Sequence, residues 1–209
     1  MISFPLFLTL YAGFVHAFEA DHLLAISTLV SRRRRMTDSI LDGICWGLGH
    51  ASTILLIGSI MIIGKSKIPA TAFSLAETLV GAMLILLAVQ RLVRRWRPVA
   101  VVPVHSHTRQ TGGGHQLAYG VGIIHGLAGS GALVLLVMTQ TQHLTDGLLY
   151  LLIFAAGCIG GMLLAAGLFG IPFSQKIVSA AWLRKSLTAI SALLCIGYGI
   201  RIIWMQCMA

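Results

Sequence analysis

Residues 3–30 read SFPLFLTLYAGFVHAFEADHLLAISTLV, and at their centre stands His16-Ala-Phe-Glu19-Ala-Asp21-His22. Four ionisable side chains within seven positions interrupt a run that is otherwise apolar. An Asp at the centre of a membrane helix costs about 2.5–3.5 kcal/mol on insertion scales, and such groups face an interior and mark a function. Imidazole nitrogens with a carboxylate are donors suited to a divalent transition metal. The heptad therefore reads as the heart of an ion site inside a membrane-spanning helix.

The whole chain supports the membrane reading. It has 209 residues, 57% hydrophobic and 10% charged, with mean hydropathy +0.89. A soluble domain carries about 25% charged residues. A water-soluble core of this length could not hide so much apolar surface. The net charge of +9 sits in short clusters between apolar runs, where topology determinants lie. It makes no stripe on a polar surface, so nucleic acid is not an expected partner. Cys45, Cys158, Cys195 and Cys207 are scattered without a C-x-x-C and read as small buried hydrophobes. The start MISFPLF lacks a basic n-region, so no cleaved signal peptide is expected; cleavage would destroy the heptad.

A bilayer core about 30 Å thick needs about 20 apolar residues per helix. Six runs qualify, at 3–30, 39–63, 70–93, 117–139, 147–169 and 185–206. They are continuous rather than alternating, so they predict helices. The expected fold is an all-α membrane protein of six transmembrane helices forming one transport domain over 1–209. Its halves cover about 1–93 and 117–209, joined by a His- and Gly-containing cytoplasmic loop at 94–116. Twelve of the fifteen Lys and Arg fall in the first, third and fifth connections or at the run ends that border them. The positive-inside rule puts these connections in the cytoplasm and both termini outside. The first run is long: 28 residues would span about 42 Å against a core of about 30 Å. Tilt absorbs such an excess, and so does a non-helical break that lines a cavity.

Gly13-Phe-Val-His16 aligns with Gly122-Ile-Ile-His125, and Asp42-Gly43 with Asp146-Gly147, at offsets of 109 and 104. The halves thus read as a 3+3 repeat. An odd number of helices per half makes them opposite in orientation, with the site at the midplane between them.

On a straight helix His16, Glu19, Asp21 and His22 fall at about 0°, 300°, 140° and 240° and do not converge. Either the backbone unwinds here, or only some of them bind and other helices supply the rest. His50 is the best second donor, and His125 is a candidate from the opposite half. The metal set is His16, Asp21, His22 and His50. Glu19 reads as a supporting residue holding a histidine tautomer. His125, Ser130, Asp42 and Glu77 are counted as supporting or pathway residues, and Asp42 reads more simply as the N-cap of the second helix. In the loop, His105, His107 and His115 are candidates for loose metal capture or chance members of a polar linker.

At these residues the chain resembles a known group. His16-x4-Asp21-His22 is similar to the H-x4-D-H signature of nickel/cobalt transporters, and Gly49-His50-Ala-Ser-Thr resembles their G-H-S-T stretch. His125-Gly-Leu-Ala-Gly-Ser-Gly-Ala-Leu resembles the corresponding segment of UreH-type urease accessory membrane proteins, with the HupE/UreJ type as runner-up. The L-G-x-D-T-A-T-E signature of the eight-helix transporters is absent. The resemblance implies Ni²⁺ or Co²⁺ as transported ion, with no organic cofactor, serving urease or hydrogenase metallation from the bacterial inner membrane. It implies that His16, Asp21, His22 and His50 matter for the metal.

The expected function is a secondary transporter, not an enzyme. Its expected partners are the ion, the lipid bilayer, a second copy of the chain and a cytoplasmic metallochaperone. No P-loop is present to couple ATP. The alternatives are a six-helix carrier of another small substrate, a thiol–disulfide conduit using Cys45 and Cys158, and a metal-dependent intramembrane hydrolase. The last lacks H-E-x-x-H and a separate general base.

Overall fold

The computed structural model describes residues 3–33, 35–64, 69–96, 113–140, 143–174 and 180–208. Within them every element is helical: α1 (Ser3–His16), α2 (Ala20–Val30), α3 (Met36–Gly64), α4 (Ala70–Trp96), α5 (Gly113–Gln140), α6 (Leu144–Gly170) and α7 (Ala181–Met208), with a 3₁₀ turn at Ile171–Phe173. Among the described residues four stretches are long and apolar enough to cross a membrane: Met36–Gly64, Thr71–Val93, Leu144–Phe173 and Trp182–Met208. Phe7, Leu56, Ile63, Leu75, Leu193 and Trp204 point outward, each more than 60% exposed. An apolar exterior of this kind fits hydrocarbon rather than water. The all-α membrane expectation holds.

The first run is not one helix. α1 ends at His16 with i→i−3 bonds, Phe18 N–H to the Val15 carbonyl and Glu19 N–H to the His16 carbonyl. Glu19 is extended (φ −63°, ψ 154°), and its carbonyl accepts the first bond of α2 from Leu23 N–H. The excess length is thus absorbed by a break within the heptad, where irregular backbone lines a cavity. Two boundaries also differ from the sequence reading. α3 starts at Met36, which places Asp42 inside the helix rather than at its N-cap. The 94–116 connection is helical as far as Trp96 and again from Gly113, so His115 is a helix residue.

Glycine decides how the helices meet, because without a side chain it lets two helix backbones approach most closely. In the α1–α6 seam a Cβ on Gly13 would strike the Phe154 carbonyl, and one on Gly157 the Leu10 carbonyl. In the α3–α5 seam a Cβ on Gly122 would strike the Trp46 carbonyl, and one on Gly49 the Tyr119 carbonyl. The seams share one register: adding 109 to the α1 positions gives those of α5, and subtracting 108 from the α6 positions gives those of α3. α4 and α7 meet through Gly81 and Gly199, each facing the other's carbonyl. Trp46, Phe154, Ile26, Ile54, Leu84 and Met162 fill the space between the helices.

Candidate metal centre

The break redirects the heptad. On a straight helix His16 and His22 diverge; here their rings come together, with centroids 4.7 Å apart. α3 brings His50 against both, 5.4 Å from His16 and 5.2 Å from His22. α5 brings His125 to 4.8 Å from His22. His16 and His125 occupy matching places, each three residues beyond the glycine of its seam. His22, His50 and His125 are buried to within 1%.

Two carboxylates fix two of the rings. Nδ1 of His16 bonds Glu19 Oε1 at 2.8 Å, and Nδ1 of His22 bonds Asp21 Oδ1 at 3.1 Å. With an N–H donating to the carboxylate, each ring carries its proton on Nδ1 and turns the Nε2 lone pair inward. Both Nε2 atoms are buried and have no hydrogen-bond partner among the described residues, and the same holds for both ring nitrogens of His50. Native structures satisfy the great majority of buried polar side-chain atoms. Several unpartnered nitrogens gathered this closely have the chemistry of a donor set.

The donors fall into two overlapping groups, His16–His22–His50 and Asp21–His22–His125. Within each, one ligand atom per residue lies within 4.8 Å of the others. Two nitrogens bound to one ion at about 2.1 Å sit no more than about 4.2 Å apart. Three donors spread evenly around such an ion sit about 3.6 Å apart, so side-chain adjustments of about an ångström would close either group on a cation. The structure places Asp21 with His125, its Oδ2 lying 3.7 Å from Nε2, rather than with His16 and His50. Nitrogen–oxygen donors suit Ni²⁺, Co²⁺ and Zn²⁺.

Beside the cluster is a cleft of about 310 Å³, reached by His16, Glu19, Asp21 and His22 from the break, Glu77 from α4, and Tyr198, Arg201 and Gln206 from α7. Glu77 lines its wall and accepts a hydrogen bond from Gln206. The Arg201 guanidinium lies 5.8 Å from the centre of the Tyr198 ring.

The remaining sequence candidates lie elsewhere. Asp42 and His115 meet each other, 2.8 Å apart, near Arg33. His105, His107 and the side chain of Ser130 fall outside the described residues. Sequence reasoning missed Trp46, whose ring packs on His22 and His125 at 5.5 and 5.8 Å and walls off the cluster. Its position four residues before His50, hence on the same helix face, was the available signal. It also missed Arg201, Tyr198 and Gln206, because α7 joins the site only through tertiary packing.

If the cluster holds a divalent cation and Asp21 sets the tautomer of His22, Asp21→Asn should weaken the binding of added Ni²⁺ by about 10–100-fold, the usual cost of losing such a partner. Titration calorimetry on detergent-purified protein measures this. Equal affinity in the variant would show that Asp21 neither orients His22 nor binds the ion.

Helices of membrane length, packed through glycine around a buried imidazole–carboxylate cluster, define a polytopic membrane protein with a cation-suited centre. The chain is 38% identical over 169 residues to the urease accessory protein UreH of Bacillus sp. (strain TB-90), a match covering 78% of this chain and 74% of that protein. It belongs to the UreH family of urease accessory proteins, in agreement with the motif resemblance. No protein-family model and no solved structure matches it.

Proposed function

We propose that the chain is a secondary transporter moving Ni²⁺, with Co²⁺ as the alternative ion, across the bacterial inner membrane to supply urease. The observation that carries this reading is the set of unpartnered imidazole nitrogens of His16, His22 and His50, gathered in the middle of the bundle beside a cleft. Membership in a urease accessory family supports nickel, the metal that the motif resemblance implies.

In this reading the first run crosses the bilayer as the broken pair α1–α2, and α3, α4, α5, α6 and α7 cross once each. Both termini then face outward and the arginine-rich links face the cytoplasm. The common register of the α1–α6 and α3–α5 seams supports two related halves of opposite orientation. Such halves rock about a central site in many carriers. The ligands bind metal only when deprotonated, so acid that protonates the imidazoles weakens loading. The protein performs no covalent chemistry and needs no organic cofactor. A cytoplasmic metallochaperone would receive the ion, and a second copy of the chain is a further partner.

The test is accumulation of radioactive nickel in cells carrying His16→Ala or Asp21→Asn. Uptake should drop at least severalfold in both variants, each of which damages one donor group and spares the other. Normal nickel movement in both variants, at equal membrane abundance, would remove the proposal.

A further inference from the structure

Asp42 is a carboxylate with 2% of its side chain exposed, and the metal cluster does not use it. Arg33, in the link between α2 and α3, grips it with two bonds, Nε to Oδ2 and Nη2 to Oδ1, both 2.6 Å. His115, from the first turns of α5, adds a third contact at 2.8 Å to Oδ1. The link itself is pinned from another side, because Arg91 of α4 donates to the hydroxyl and carbonyl of Ser31. One buried carboxylate thus ties the α2–α3 link to α3 and α5, and the neighbouring serine ties the link to α4.

The position of this cluster relates it to the path. α3 carries both Asp42 and His50, about 12 Å apart along its axis, and α5 carries both His115 and His125, about 15 Å apart. The cleft lies toward the other end of the bundle. On α4, Glu77 lines it while Arg91 holds the link, about 21 Å away. The donor cluster therefore has an open cleft on one side and a sealed ionic knot on the other.

Resting on the transport reading, we propose that Arg33, Asp42 and His115 form the gate on the basic, cytoplasmic side of the ion path. Parting α3 from α5 at this end means separating three groups that water can solvate once they part. A buried ion pair gives little net stability over its hydrated members, so the knot is reversible. A divalent ion leaving His50 and His125 toward this end would compete with Arg33 for the same carboxylate, because Coulomb attraction doubles with its charge. The ion itself would then loosen the gate, which closes again on Arg33 once the ion has gone.

Cys45 is a native reporter, three residues beyond Asp42 on α3 and partly buried. With Cys158, Cys195 and Cys207 changed to serine, inside-out vesicles are treated with a membrane-impermeant maleimide. Asp42→Asn and Arg33→Gln should label about tenfold faster than the parent, with Arg33→Lys between, as a shift in population toward the open form requires. Ni²⁺ binding by the purified variants should stay within about twofold of the parent, since the histidine cluster is intact. Labelling within twofold of the parent in both variants overturns the gate. So does loss of Ni²⁺ binding in Asp42→Asn, which would make Asp42 a ligand. Failure of the parent to bind Ni²⁺ would instead sink the transport reading, and the labelling rates would still report whether the knot closes this face. His115→Gln, at the partly exposed edge, serves the same comparison if Asp42→Asn does not fold.

Discussion

Replacing His22 with alanine is expected to abolish nickel binding, with a loss of affinity greater than about 100-fold. His22 is the only residue common to both donor groups. Its ring touches those of His16, His50 and His125, so no other substitution removes a donor from every arrangement of the cluster. Loss of a partner that merely orients a ligand costs about 10–100-fold in metal affinity, and a shared ligand must exceed that. Calorimetry on purified protein reads the loss directly, with His22→Gln as a companion that keeps more of the volume. His16→Ala and His125→Ala each spare one group and should retain weaker binding. Equal losses in all three variants would mean that the four histidines act as one site rather than as two overlapping ones. Retained binding in His22→Ala would dismiss the cluster as the ion site.

The second large effect concerns packing. Gly13→Ala and Gly122→Ala should each destabilise the protein by about 1–3 kcal/mol, the cost of forcing an extra carbon into a filled space. In each the new methyl meets a backbone carbonyl of the facing helix, Phe154 in one seam and Trp46 in the other, and backbone has no rotamer by which to yield. Gly122→Ala should also impair nickel binding, because the Cβ presses on the backbone of Trp46 and His50. Gly120→Ala and Gly160→Ala are the controls. A Cβ at either meets nothing within 4 Å, and alanine favours the helix by up to about 1 kcal/mol. Thermal unfolding in detergent separates the pairs; equal melting temperatures across all four variants would refute the account of the seams.

Much of this was legible in the sequence because the bilayer limits the choices. Long apolar runs have no folded alternative to helices, and a group as costly there as Asp21 needs an interior partner. The match of Gly13 with Gly122 and of His16 with His125 carried real register information, since both glycines prove to sit at helix contacts. The divergence of the heptad on a straight helix left a break as one of two solutions, and Glu19 provides it. Local patterns fail where a partner comes from far along the chain. Asp42 looked like an N-cap because the apolar run starts near it, yet α3 begins six residues earlier and the carboxylate turns to Arg33 and His115. No spacing rule joins residues 33, 42 and 115. The surroundings of His115, rich in Gly and His, have the composition of a linker, although the helix reaches back to Gly113.

The two glycine seams bear on how the chain comes to be assembled. The glycines of α1 and α3 meet their neighbours across the halves, Gly13 in α6, Gly43 and Gly47 in α6 and Gly49 in α5. A nascent chain that has released only α1 and α2 into the bilayer holds a bare backbone groove at Gly13 and four ionisable groups paired only with one another. Those segments gain their glycine contacts only once α5 and α6 are in place. The His16–His22–His50 group belongs to the first half alone, whereas the Asp21–His22–His125 group comes into being only when α5 closes onto it.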